Sequence, residues 1–223
     1  MDVALAPDVR EIVTEKFALA ADLGQSNDPT AVAVLCHRHV EFMHWSGPAG
    51  KATDVFDVVH LQRLPLGLSY VDQVEHIAQL LARPPLKSGC EFVIDATGVG
   101  RPVADLFDDA GLRPTQVTIT AGDKQLPHGS RRWGIPKGTL ISGLDARLHT
   151  GELRFAAALH DADAMAEELK DFRRKVSAAG RYSYDARVGR HDDLVLAVAL
   201  GLWMLAGKPK PPVARTGQQH RIY

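Results

Sequence analysis

Cysteine is scarce: of 223 residues only Cys36 and Cys90 carry thiols, far apart and with no CxxC or Cys/His spacing. A disulfide framework therefore has no support, and a structural zinc site has little. Long apolar runs are missing too. No segment approaches the roughly 18 consecutive apolar residues that a membrane span requires, and MDVALAPDVREIVTEKF at the start lacks a basic stretch followed by an apolar one. Neither a secretory leader nor a membrane anchor is expected, and a reducing, cytoplasmic setting fits best. Charge of one sign is not in excess: 26 basic against 27 acidic residues leave a formal net charge of -1. That balance argues against coating nucleic acid by bulk electrostatics. The chain has neither repeats nor low-complexity segments.

What is present is a hydrophobic fraction of 45%, enough in a chain of this length for one large domain or two small ones. Residues 1–16 read as a short helix or arm, broken at Pro7. The fold proper is expected to begin at Phe17. The run FALAADLG, the turn residues Ser26-Asn27-Asp28-Pro29 and the run TAVAVLCHRHVEF predict a β-hairpin, and VFDVVHLQRL (55–64) a third antiparallel strand. From Ser69 the period becomes helical, with Val71, Val74, Ile77, Ala78 and Leu81 on one stripe until Pro84-Pro85. A short buried strand ending at Asp95 follows, then a helix through Val103, Leu106 and Phe107, then QVTIT (116–120), expected parallel to the Asp95 strand. Helices are predicted over 136–149 and 161–175, a hairpin around Gly180, a final helix over 192–206, and a proline-rich basic tail over 208–223. The fold class is mixed α/β, with an antiparallel half and a parallel half.

Four aspartates stand at three element ends. Asp22 closes one apolar strand, Asp95 closes another, and Asp192-Asp193 open the apolar helix in RHDDLVLAVAL. Functional groups in open α/β sheets gather at strand ends, where side chains converge without filling the core. Carboxylates brought together there repel, and a hard divalent cation is the usual remedy. Each also has a structural explanation: Asp22 and Asp95 as turn formers, Asp192 or Asp193 as a helix cap. A cap alone does not explain the triplet His191-Asp192-Asp193.

Two phosphate-loop signals are weak. IDATGVGRPV has G-x-G but Val103 where a dinucleotide fingerprint needs its third glycine, and GPAGKAT has Ala52 after Lys51 instead of Ser or Thr. No ATPase motor is read in this chain.

Taken in order, DLGQSNDPTAVAVL (22–35), FVIDATGVGRPVADLF (92–107), RRWGIPKGTLISGLDARLHTGELRF (131–155) and GRHDDLVLAVALGLW (189–203) resemble the C-terminal nuclease domain of phage terminase large subunits, within the ribonuclease H-like superfamily. The resemblance implies a ribonuclease H-like mixed sheet flanked by helices over residues 17–207. It implies that Asp22, Asp95 and one of Asp192 or Asp193 bind two Mg²⁺ or Mn²⁺ ions, and that the domain cuts double-stranded DNA in genome packaging. Related motifs of the form H-D-x-x-x-x-A favour Asp192 as ligand, with Ala197 as the small residue; Asp193 is then a cap or a supporting acid. Lys137, in the stretch matching WGIPK, is implied to contact a phosphate near the site, and His191 to orient a carboxylate or meet a phosphate. Those family members usually carry an N-terminal packaging ATPase. Without one, the chain reads as a nuclease-domain fragment, a separately encoded nuclease or a prophage remnant, with a packaging ATPase, a small terminase subunit or a portal as partners.

The stretch 170–190 holds seven basic residues against two acids. Arg173, Arg174, Lys175, Arg181, Arg187 and Arg190, together with Arg131, Arg132 and Lys137, are the expected phosphate contacts, giving steep salt dependence and little sequence preference. Three rivals remain: a junction-resolving endonuclease of the same superfamily, a sugar-kinase-like phosphotransferase suggested by Asp22-Leu23-Gly24, and a non-catalytic DNA-binding or packaging module.

Overall fold

The computed structural model describes residues 9–24, 28–48, 50–98, 100–156, 158–171, 173–176, 182–185 and 191–207. Its first strand, β1 (Arg10–Asp22), starts seven residues before the expected Phe17. Arg10–Lys16, read from sequence as an arm, pair antiparallel with His37–Met43 of β2 (Ala31–His44). All seven of these β1 residues are exposed, so the stretch lacks the one-sided apolar alternation that marks a half-buried strand.

β3 (Gly47–Pro48) and β4 (Thr53–Arg63) complete the antiparallel half on β2. Helix α1 (Tyr70–Leu81) follows, its N-cap Ser69 accepting a hydrogen bond from the backbone N–H of Asp72. It buries Gln73, Val74 and Ile77, whereas Val71, expected on the apolar stripe, is 61% exposed. Then come β5 (Glu91–Asp95), α2 (Gly100–Asp109), β6 (Thr115–Thr120), β7 (Leu126–Pro127) and β8 (Arg132–Pro136). The last part holds α3 (Lys137–Thr150), β9 (Leu153–Phe155), α4 (Ala162–Asp171), β10 (Arg173–Val176), β11 (Tyr182–Asp185) and α5 (Asp193–Ala206).

The main sheet runs β7-β8-β6-β5-β1-β2-β4-β9, with β3 on β2. β1, β5, β6 and β8 are mutually parallel, and β9 is parallel to β4. This is the expected mixed sheet with helices on both faces. Alternation along the central strands separates two cores. Ala18 and Ala20 of β1, Ala31, Ala33 and Leu35 of β2 and Val93 of β5 pack with α5, while Leu19, Ala21, Val32, Val34, Phe92 and Ile94 pack with α1 and α2. Helix α5 is apolar and buried from Asp193 to Leu205, as a helix covered on every side must be. It lies close on the sheet: a Cβ on Gly201 would stand 2.5 Å from Leu35 Cδ1 and 3.4 Å from Ala20 Cβ.

Four short strands were not predicted, among them the two-residue β3 in the expected loop SGPAGKAT, and one helix is shorter than its pattern. β8 ends in Gly-Ile-Pro, residues with weak strand preference except for isoleucine; its parallel pairing with β6 supplies what local preference does not. β7 and β9 have two and three residues, too short for periodicity to register. The helix expected to reach Lys175 stops at Asp171, because Arg173–Val176 pair antiparallel with Tyr182–Asp185. These flank the hairpin expected around Gly180, while 177–181 lie outside the described residues, as does the tail 208–223.

Candidate active site

Asp22 and Asp95 are the last residues of β1 and β5, and parallel pairing sets them directly beside each other. Asp22 follows Ala20 by two positions and Asp95 follows Val93 by two. Both therefore point to the face that carries α5. The backbone turns sharply after Asp22. Gly24 is required there, since a Cβ would come within 2.0 Å of the Asp28 carbonyl oxygen. Buried Thr30 and Gln73 hold this turn: Gly24 N–H donates to Thr30 Oγ1 (2.9 Å), Thr30 Oγ1 donates to Gln73 Oε1 (2.8 Å), and Gln73 Nε2 donates to the carbonyls of Leu68 (2.9 Å) and Gly24 (3.2 Å). After Asp95 the chain is fixed by Thr97, whose N–H donates to Asp95 Oδ1 (2.7 Å) and whose hydroxyl accepts from Ile119 N–H (2.7 Å).

The start of α5 brings the other acids. Asp192 occupies the N-cap position, but its side chain makes no capping bond; it meets Lys137 instead, Nζ to Oδ2, at 2.6 Å. Lys137 is the first residue of α3, immediately after the carboxyl end of β8, so the same sheet edge delivers it. Asp193 is 5% exposed and is gripped by Arg63, the last residue of β4, through Nε–Oδ2 (2.8 Å) and Nη2–Oδ1 (3.2 Å). Arg63 also pairs with buried Glu168 of α4. Glu168 Oε2 in turn accepts from Val195 N–H at 2.9 Å. Asp192 is thus the N-cap by position, as expected, and its carbonyl accepts from Leu196 N–H. The expected side-chain capping bond is corrected, since Glu168, from another helix, supplies the side-chain acceptor while Asp192 and Asp193 are each engaged by a cation.

Electrostatics follow from this crowding. Burial pushes the Asp22 carboxyl well above the ordinary carboxylate range, with Asp95, Asp193 and Asp192 adding to the rise and Lys137 opposing it. Burial also raises Asp95, against the hydrogen bonds from Thr97 and the charge of Lys137. Glu168 is pushed up to about 7 by burial, with Asp193 adding to the rise while the α5 N–H groups and Arg63 oppose it. Acids crowded so that neighbouring carboxylates raise Asp22 and Asp95, at an edge where Lys137 acts on both, form a donor set suited to a hard divalent cation.

His191 Nδ1 lies 3.2 Å from Asp28 Oδ1 and 4.0 Å from Asp193 Oδ1, where it can orient an acid. Arg131 and Arg132 stand apart. They sit at the opposite end of β8 from Lys137, about 20 and 16 Å away at 3.3 Å per residue, and Arg131 pairs with Asp108 of α2 at 3.2 Å. Arg173, Arg174 and Lys175 fall on β10, whose side chains lie outside the described residues, as do Arg181, Arg187 and Arg190 entirely. Sequence reading missed Arg63, Glu168, Thr30 and Gln73. The available signals were an arginine inside the apolar run LQRL and a glutamate three positions after Met165 on the buried side of α4.

No family model matches the chain. The chain is 25% identical over 192 residues to the terminase large subunit of Thermus virus P23-45, covering 86% of this chain and 32% of that protein, so it spans about a third of that relative's length. Among solved structures, the large terminase nuclease of thermophilic phage G20c superposes with a TM-score of 0.55 at 23% identity, covering 84% of this chain and 81% of that one. The same nuclease with bound magnesium gives 0.55 at 22%, covering 84% and 80%. The large terminase nuclease domain of Thermus phage P74-26 gives 0.53 at 21%, covering 87% and 82%. In sequence the chain is similar to a phage terminase large subunit, and its fold is that of the large terminase nuclease domains.

Proposed function

We propose that this chain is a metal-dependent endonuclease that hydrolyses phosphodiester bonds of double-stranded DNA, in the manner of a terminase nuclease acting in viral genome packaging. The observation that carries this reading is the side-by-side alignment of Asp22 and Asp95 on the face where α5 presents Asp192 in contact with Lys137. The likeness to nucleases solved with bound magnesium and bound cobalt supports it.

Asp22, Asp95 and Asp192 are the residues that would hold two Mg²⁺ or Mn²⁺ ions, and ions so held supply an activated water and a counter-charge for the leaving 3′ oxygen. Asp22, on which Asp95, Asp193 and Asp192 all act, is the candidate to serve both ions. Lys137 would give its contact with Asp192 a second use, meeting the phosphate that approaches the cleft. Arg63 and Glu168 fix Asp193 and the first turn of α5, which keeps Asp192 in place. The basic segment 173–190 runs directly into His191, and we assign it the remaining phosphate contacts. Arg131 and Arg132 would touch only DNA that continues across the sheet. A packaging ATPase, a small terminase subunit or a portal would present the DNA.

The test is supercoiled plasmid incubated at low salt with Mn²⁺, Mg²⁺ or EDTA. Nicking and linearisation that need metal and vanish in Asp95→Asn are expected. Metal-independent DNA binding without cutting, in protein whose fold circular dichroism confirms, would instead make the chain a non-catalytic packaging module.

A further inference from the structure

A second group of metal-ligating side chains lies well away from the acidic edge. His37 and His39 stand two apart on β2, on one face of the sheet, and Asp54 of β4 pairs directly opposite His39. No linear spacing reveals the trio, because strand pairing supplies the third member. His37 Nε2 and His39 Nδ1 converge on the same oxygen, Asp54 Oδ1, at 2.7 and 2.8 Å. The group is six to eight residues along β2 from Ala31, the partner of Asp22, which is about 20 Å or more of strand.

Two features orient the rings. His37 stacks on Phe56, with ring centroids 4.4 Å apart and planes 8° from parallel. The far nitrogen of His39, Nε2, lies 2.8 Å from Glu41 Oε1. A neutral His39 that donates from Nε2 to Glu41 turns its Nδ1 lone pair toward the Asp54 carboxylate, so two acceptors face each other at 2.8 Å. Either a proton on Nδ1, which the Asp54 and Glu41 carboxylates favour by raising the His39 pKa, or a metal ion in its place resolves that conflict, and a carboxylate behind the outer nitrogen is the usual support of a ligating imidazole.

We propose that His37, His39 and Asp54 form a binding site for a borderline transition-metal ion, Zn²⁺ or a similar divalent ion, with Glu41 positioning His39. Two imidazoles and one carboxylate select such ions over Mg²⁺ and Ca²⁺, which favour all-oxygen sites. Ligand atoms of a tetrahedral zinc site, with bonds of about 2.0–2.1 Å, stand about 3.3 Å apart. Here Asp54 Oδ1 lies 2.7 and 2.8 Å from the two nitrogens and all three atoms lie within 4.8 Å of one another, so binding asks the oxygen to withdraw by about half an ångström and the nitrogens to close by up to about 1.5 Å. The Asp54 side chain, 45% exposed, has room to withdraw, and water supplies the fourth position. The ion would tie β2 to β4 at the end of the sheet remote from the carboxylates.

Zn²⁺ is titrated calorimetrically into the metal-stripped chain in excess Mg²⁺, added to fill the acidic edge. One equivalent of Zn²⁺ should bind wild type and Asp95→Asn alike. His37→Gln, His39→Gln and the isosteric Asp54→Asn should abolish it, and Glu41→Gln should weaken it by about tenfold, with folding of each variant checked by circular dichroism. Absence of Zn²⁺ binding in wild type, binding that survives His39→Gln, or binding lost in Asp95→Asn would each overturn the assignment.

Discussion

Lys137 Nζ and Asp192 Oδ2 are 2.6 Å apart, joining the first residue of α3 to the residue that precedes α5. The pair holds an ammonium beside the acids without neutralising them all: Asp22 and Asp95 both stay raised although Lys137 acts on each. If the lysine meets phosphate in the cleft, Lys137→Met should weaken DNA binding and lower the slope of log affinity against log salt by about one. Filter binding across a salt series in Ca²⁺ measures this, and an unchanged slope would make Lys137 purely a brace for Asp192.

Asp22 is expensive to keep charged. Asp22→Asn should lower metal-dependent cutting by at least about a hundredfold while raising the melting temperature of the metal-free protein, because the amide removes a buried charge that three neighbouring acids repel. Mg²⁺ should raise the melting temperature of wild type and leave Asp22→Asn nearly unmoved. Thermal melts in EDTA and in Mg²⁺ check both halves.

Glu168 sets a pH dependence of opposite sign to that of a typical salt-bridged acid. Its folded value of about 7 stands above its ordinary 4.5, so the folded state keeps a proton that the unfolded state releases. The stabilisation is full below about pH 4.5 and is lost as pH rises through about 7, amounting to about 3 kcal/mol. Glu168→Gln retains an oxygen to accept from Val195 and should flatten this part of the stability profile. Urea unfolding at pH 5 and pH 8 in EDTA provides the comparison; equal slopes in both proteins would show that Glu168 does not hold the proton.

Gly201→Ala adds a methyl that meets Leu35 Cδ1 at 2.5 Å. Alanine is the better helix former by about 1 kcal/mol, yet overpacking a closed core costs about 1–3 kcal/mol. With Leu35 fully buried, the net change should be destabilising by up to about 2 kcal/mol. Chemical denaturation measures it.

The acids were legible because each ends a strongly patterned element: Ala18 to Ala21 before Asp22, Phe92 to Ile94 before Asp95, and the apolar helix after Asp193. Their supports were not. Arg63 reaches Asp193 across 130 residues and Glu168 reaches Val195 across 27, and such long-range pairings leave no period in the chain. Arg10–Lys16 failed for a different reason, since a strand exposed on both sides has no apolar face to announce it. The division of work between Asp192 and Asp193 was unreadable from adjacency alone; it depends on which of two cations each acid meets.

The alignment of Asp22 with Asp95 also governs what kind of sequence change the site tolerates. Side chains alternate faces along a strand, so adding or deleting one residue inside β1 or β5 would turn its acid to the α1 face. Between the two strands lie nearly seventy positions of strand, helix and turn that never touch this parity. Insertions in the loops of that stretch, away from β2 and from Gly24, Thr30 and Gln73, would change the outline of the molecule and leave the carboxylates paired, whereas a single-residue slip in the five paired positions of β1 and β5 would separate them at once. The acids behave as a two-state property of register, with no intermediate setting.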